Sequence, residues 1–285
     1  MKKLLLALCC AFVTLASAFG AYEYTEKDVM IDVGDHQIPA TVTIPTAQKK
    51  GEKFPAVVML HGNGTNRHEA NNAYDYAAPE LAKAGIATIR FDYIGNGDST
   101  GDYVDFTYTK GMEDAMACRA YIRSQEGIKK NKIGIMGWSQ GGRIALITAG
   151  THNHSFKSVL TWAGAYGQKD LSKEYEEAKR NGYFEKTYSW RDPLKQGVAY
   201  YEDAMSIDYA RLVSKIKCPL LAINGKDDTT VVPETAQKIV DATGSKKAKV
   251  LLVDDCDHTL KVFTGDLTKL HEVTQATVDW FAETL

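Results

Sequence analysis

Residues 133–142 read Ile133-Gly134-Ile135-Met136-Gly137-Trp138-Ser139-Gln140-Gly141-Gly142, an apolar run that stops at glycines around a serine. The residues that follow, to Ala149, have a helix-forming composition. A strand that turns sharply into a helix forces the residue at the turn into strained backbone angles and projects its side chain outward. Only small residues at Gly137 and Gly141 let the two backbones pass closely. The helix N-terminus then adds positive potential where the serine hydroxyl emerges. The pattern Gly-x-Ser-x-Gly occurs by chance, but the apolar run before it and the apolar helix after it make this copy a candidate nucleophile site.

Outward from this turn, strands alternate with helices. Short β-branched runs at 28–33 and 37–44, split by Gly34-Asp35, predict an opening hairpin. Pro55–Leu60 is an unbroken apolar run, as in a strand covered on both faces. Further strands are predicted at 86–91, 133–136, 157–162, 219–223 and 250–253. Helices are predicted at 68–84, 107–123, 139–149 and 268–283, the first stopped by Gly85. Together they predict an α/β fold with a mostly parallel eight-stranded sheet and helices on both faces. Between Ala163 and Lys217 about fifty residues intervene where a crossover needs far fewer. They carry seven of the chain's 15 tyrosines, with Phe184 and Trp190, which predicts an inserted lid at about 164–217 rather than a linker.

A serine hydroxyl is a poor nucleophile near neutral pH and needs a base, usually a histidine, oriented by a carboxylate. In a strand–turn–helix site of this kind the order along the chain is serine, acid, histidine. Only His258 and His271 lie downstream of a plausible acid. His271 falls inside the last predicted helix, whereas His258 follows the strand at 250–253, on the sheet edge where Ser139 emerges. His258 is therefore the expected base. The acid is expected after the strand at 219–223, where Asp227 and Asp228 both qualify by position and Asp228, three residues after Gly225, is favoured. Asp254 and Asp257 share the histidine's own loop and are weaker candidates. Acyl transfer also needs N–H donors for the developing oxyanion. These are expected from the amides of Gln140, next to Ser139, and Asn63, in the loop His61-Gly62-Asn63-Gly64.

Composition narrows the function classes. The 285 residues are 25% charged and 44% hydrophobic with a formal net charge of −2, so neither a disordered chain nor a nucleic-acid partner is expected. Gly95-Asn96-Gly97-Asp98 lacks the spacing of a nucleotide loop, and no Walker or His-Glu-x-x-His segment occurs, so no cofactor and no metal are expected. Lys2 and Lys3 precede an apolar run from Leu4 to Leu15 that ends in Ala16-Ser17-Ala18. That pattern predicts a secretory signal peptide at 1–18, cleaved after Ala18, and hence a secreted or periplasmic protein without a membrane anchor, formed by residues 19–285. Cys118, Cys218 and Cys256 would remain, an odd number compatible with one disulfide or none.

Four segments carry a family resemblance: HGNG at 61–64, FDYIGNGDSTG at 91–101, GWSQGG at 137–142, and NGKDDTTVVP with the later DCDH. With them the chain, from about Val29 onward, resembles the α/β-hydrolases, especially cinnamoyl/feruloyl esterases and their serine aminopeptidase-like and dienelactone hydrolase-like relatives. The resemblance implies a triad of Ser139, Asp228 and His258, an oxyanion hole of the Asn63 and Gln140 amides, and a lid before the seventh strand. It implies a carboxylic ester hydrolase acting on a small-molecule ester, with small or hydroxycinnamoyl-type acyl groups suited to an aromatic lid. A peptidase or amidase of the same fold is the nearest alternative. A non-catalytic binding protein is a remoter one, since all three triad positions are filled.

Overall fold

The structure, a computed structural model, describes residues 21–285, so the export segment expected at 1–18 lies outside the described residues. β1 (Tyr24–Asp32) and β2 (Gln37–Pro45) form the opening hairpin, antiparallel with Asp32 opposite Gln37. There follow β3 (Phe54–Leu60), α1 (Ala73–Lys83), β4 (Ala87–Phe91), α2 (Tyr108–Ser124), β5 (Ile128–Trp138), α3 (Gln140–Thr151) and β6 (Ser158–Trp162). The chain then makes a long excursion through α4 (Ser172–Asn181), β7 (Tyr183–Lys186), β8 (Leu194–Gly197), α5 (Val198–Ser206) and α6 (Tyr209–Ser214). It returns in β9 (Leu220–Gly225), α7 (Glu234–Ala242), β10 (Ala248–Val253) and α8 (Thr268–Thr284).

Eight strands make one sheet in the order β1-β2-β4-β3-β5-β6-β9-β10. The β1–β2 and β2–β4 pairings are antiparallel and all the others parallel. The sheet and its layers are as the alternation predicts. β7 and β8 form a separate two-stranded ribbon. Burial of both faces explains the unbroken apolar runs. Val57 and Met59 of β3 point into the layer holding α1 and α8, while Val58 and Leu60 point into the layer holding α2 and α3. Each such side chain contributes about 1.5–3 kcal/mol of transfer free energy. Trp162 is fully buried, and its indole N–H donates to Thr277 Oγ1 of α8 at 2.8 Å, so its polar edge is satisfied.

Several boundaries differ from the sequence reading. The helix expected from residue 68 starts at Ala73, because Glu69, Asn71 and Asn72 take φ of 61°, 47° and 61°, outside any right-handed helix. β1 begins earlier and β5 runs longer at both ends, since ladder pairing holds residues that periodicity alone does not mark. α7 was not expected. Because six strands run parallel, the loops after β3, β5, β6, β9 and β10 leave at one edge of the sheet. No described helix is long and apolar enough to cross a membrane.

Candidate active site

Ser139 sits between β5 and α3 with φ 53° and ψ −114°. That conformation is costly for a non-glycine residue, and the surroundings impose it. A Cβ on Gly137 would overlap the backbone of Gly141, and one on Gly141 would overlap the carbonyl oxygens of Leu60 and His61. The two glycines let β3, β5 and α3 converge, and the serine is pushed out over the edge. The Ser139 N–H donates to Trp162 O at 2.9 Å, fixing the turn against β6.

His258 arrives on the loop after β10, which packs so closely over the end of β9 that any side chain at Gly225 would collide with Cys256 O. The indole N–H of Trp138 donates to His258 O at 3.0 Å, tying the histidine loop to the residue before the serine. The imidazole Nε2 lies 3.1 Å from Ser139 Oγ, and Nδ1 lies 2.8 Å from Asp228 Oδ2. With Nδ1 protonated it donates to the carboxylate, leaving the Nε2 lone pair free to accept the serine proton.

Asp228 is 2% exposed, and its carboxylate is fully committed. Oδ1 accepts the backbone N–H groups of Thr230 and Val231, each at 2.8 Å, while Oδ2 also accepts from Asn224 Nδ2 at 3.3 Å. Asn224 in turn donates to Val231 O at 2.9 Å, so the acid loop folds around its aspartate. The alternatives lie elsewhere. Asp227 is exposed, and Asp254 pairs with Lys226 at the surface. Asp257 accepts from Thr259 and Lys261 amides and shapes its own loop. His271 stacks on Tyr76, with ring centroids 4.5 Å apart.

Gln140 opens α3, where the first N–H groups have no helical acceptor. Asn63 lies across from it, and the side chains are joined by Asn63 Nδ2 donating to Gln140 Oε1. Asn63 Nδ2 also reaches Tyr103 OH at 3.4 Å, and Tyr188 OH donates to Asn63 Oδ1. Arg191 donates to Gly64 O. Two residues of the excursion between β6 and β9 therefore brace the loop that carries Asn63. His61 is structural: its Nδ1–H donates to Gly62 O at 2.8 Å and its Nε2 accepts from the Tyr93 N–H at 3.2 Å. Burial pushes its pKa down to about 4, so the ring is neutral.

One residue at the site carries no signal in the sequence. Glu69, 9% exposed, turns its carboxylate inward, where Oε1 accepts the Gly62 N–H and Oε2 its neighbour Ala70 N–H at 3.0 Å. A Cβ on Gly62 would lie 3.0 Å from Glu69 Oε1 and 3.6 Å from Ser139 Cβ, so the carboxylate and the serine both crowd this glycine. Burial raises its pKa to about 7 against the pull of those hydrogen bonds and of His258.

The serine and histidine open on a cavity of about 1200 Å³. Tyr108, Trp138, Phe184, Tyr188, Tyr200 and Tyr201 give it aromatic walls, most of them from the excursion. Cys118, Cys218 and Cys256 are all free thiols, and burial holds each above the usual thiol range.

A hydroxyl on a strained turn, an imidazole within reach and a buried carboxylate behind it can perform nucleophilic acyl transfer. Several known proteins are similar to this chain. The chain is 23% identical over 283 residues to the esterase EstD of Thermotoga maritima, covering 90% of this chain and 65% of that protein. It is 25% identical over 246 residues to the human serine hydrolase BPHL, covering 79% and 80% of the two chains. The fold matches that of Est1E from Butyrivibrio proteoclasticus, solved with ferulic acid bound, at a TM-score of 0.73 and 22% identity over 90% of this chain and 98% of that one. Residues 72–285 match the model of the prolyl oligopeptidase family. On that match and this architecture, the chain belongs to the prolyl oligopeptidase family and is an α/β hydrolase.

Proposed function

We propose that this protein is an exported serine carboxylic ester hydrolase that acts through an acyl-enzyme on small or aromatic, hydroxycinnamoyl-type esters. The observation that carries the reading is the unbroken hydrogen-bonded line from Ser139 Oγ through His258 to buried Asp228, opening into an aromatic cavity. His258 Nε2 takes the Ser139 proton as Oγ attacks the ester carbonyl. The amides of Asn63 and Gln140 hold the oxyanion. Collapse expels the alcohol, which leaves with the proton from His258. Water, deprotonated by the same imidazole, then attacks the acyl-serine, and its collapse returns the free acid and Ser139.

Residues 164–217 act as a lid whose tyrosines stack on a planar acyl group and hydrogen-bond its substituents. The ferulic acid bound to Est1E, which shares the fold, supports such a group. Export rests on Lys2, Lys3 and the apolar run ending at Ala18, and a mature chain beginning at Phe19 is its signature. The match to the prolyl oligopeptidase family favours a peptidase as the second reading.

Ser139→Ala is expected to abolish turnover of p-nitrophenyl acetate with the fold intact, and retained hydrolysis would end the assignment. Methyl ferulate assayed beside aminoacyl-nitroanilides separates the two readings. Turnover of the anilides alone would replace the esterase by the peptidase.

A further inference from the structure

Arg143 lies on α3 four residues after Ser139, about 6 Å further along the helix axis at 1.5 Å per residue. It lines the same cavity and is 4% exposed. A guanidinium stays charged at any ordinary pH, and taking one out of water without an anion is expensive. Yet Arg143 pairs with no carboxylate among the described residues. Its neighbours are phenols: it lies over the Tyr209 ring at 4.9 Å and the Tyr108 ring at 5.7 Å, and Nη1 reaches Tyr209 OH at 3.5 Å. Those rings give a partial electrostatic return. Tyr209 OH donates to Ala204 O, so its proton is spoken for, and Arg143 Nε is buried without any hydrogen-bond partner.

The charge around this group points the same way. Lys169, Lys186 and Arg191 also line the cavity, against two carboxylates, Glu69 and Glu174. Glu69 is held by backbone amides, and none of the four cations forms an ion pair among the described residues. A neutral substrate leaves this imbalance as it is. An anion entering the cavity would supply the missing partner, and the planar fork of Arg143 suits a carboxylate.

We propose that Arg143 is a specificity-determining residue that binds a carboxylate on the substrate, so that the preferred esters are acid-bearing ones. This rests on the esterase reading above. The carboxylate comes either from the acyl side, as in a half-ester of a dicarboxylic acid, or from the leaving alcohol.

The test uses two matched pairs. Mono-p-nitrophenyl glutarate is compared with p-nitrophenyl butyrate for the acyl side, and 4-acetoxybenzoate with phenyl acetate for the leaving side. In one pair kcat/KM should favour the acid by about 10- to 100-fold, the scale of a charge-assisted bidentate contact in a dry site. In Arg143→Met that ratio should fall to near one, and Arg143→Lys should restore part of it. Equal rates within both pairs in the native enzyme overturn the proposal whether or not the variants fold, and so does a preference that survives in Arg143→Met. Ser139→Ala separates the two levels. If it silences every ester while the acid preference is missing, only the role of Arg143 falls; if turnover persists in it, the esterase reading falls as well.

Discussion

Replacing Asp228 by asparagine isolates the role of the buried carboxylate, because size and shape are kept. The surroundings decide how the new amide sits. Oδ1 of Asp228 accepts two backbone N–H groups at 2.8 Å, from Thr230 and Val231. An amide NH2 facing those donors would leave three donors without an acceptor, so the carboxamide oxygen must take that place. Its NH2 then faces His258 Nδ1, which can meet it only as an acceptor. The ring proton moves to Nε2, toward Ser139, and the imidazole can no longer take the serine proton. Wrong-tautomer substitutions of this type in a serine triad cost about 10⁴-fold in kcat, or about 5.5 kcal/mol at 1.36 kcal/mol per decade. KM should move far less, since Asp228 is walled off from the cavity by its own loop. Steady-state turnover of p-nitrophenyl acetate, with near-UV circular dichroism as the check on folding, reads this directly. Asp227→Asn, at an exposed neighbour, is the control and should stay within about twofold. A loss below tenfold in Asp228→Asn, or an equal loss in Asp227→Asn, would refute the assignment of the acid.

Two other outcomes bear on the scaffold. Gly141→Ala places a methyl against the Leu60 and His61 carbonyl oxygens, which belong to the end of β3 and cannot swing away. A cost of more than about 3 kcal/mol is expected, seen as a fall in Tm of about 10 °C or as insoluble protein; a soluble variant with native Tm contradicts the packing described. Glu69 supplies a pH dependence. Its folded pKa of about 7 lies above the ordinary carboxylate value of 4.5, so the protonated form is favoured in the folded state. The native state therefore loses stability as pH rises from 4.5 through 7, by about 3 kcal/mol once both states are ionised. Glu69→Gln escapes that loss, so its Tm relative to the native enzyme should climb between pH 5 and pH 8; a flat difference would contradict the burial argument.

The parts of the site readable in the sequence are those whose chemistry is local. Gly137 and Gly141 around Ser139 announce a turn that only small residues allow, and Asp228 and His258 follow strands with unbroken apolar runs. The choice between Asp227 and Asp228 needed the fold, because it depends on which carboxylate meets the Thr230 and Val231 amides. Glu69 was invisible: it sits in a polar loop, and its burial depends on a reversal of the chain at φ 61° that no periodicity encodes. β1 began earlier than expected because nearly all its side chains are exposed and it is held by pairing with β2. Tyrosine enrichment marked the excursion as aromatic, but not that α5, α6 and a two-stranded ribbon would form within it. Those elements answer to distant contacts, such as Gly150 of α3 closing against Leu212 of α6.

Tyr188 and Arg191 grip Asn63 and Gly64 from above. Both also line the cavity, so a guest meets the strap that steadies the Asn63 loop and, with it, the Asn63 amide proposed above to hold the oxyanion. An ill-fitting guest that lifts the strap would also loosen that amide. Discrimination would then appear in how fast a bound molecule reacts rather than in how tightly it is held.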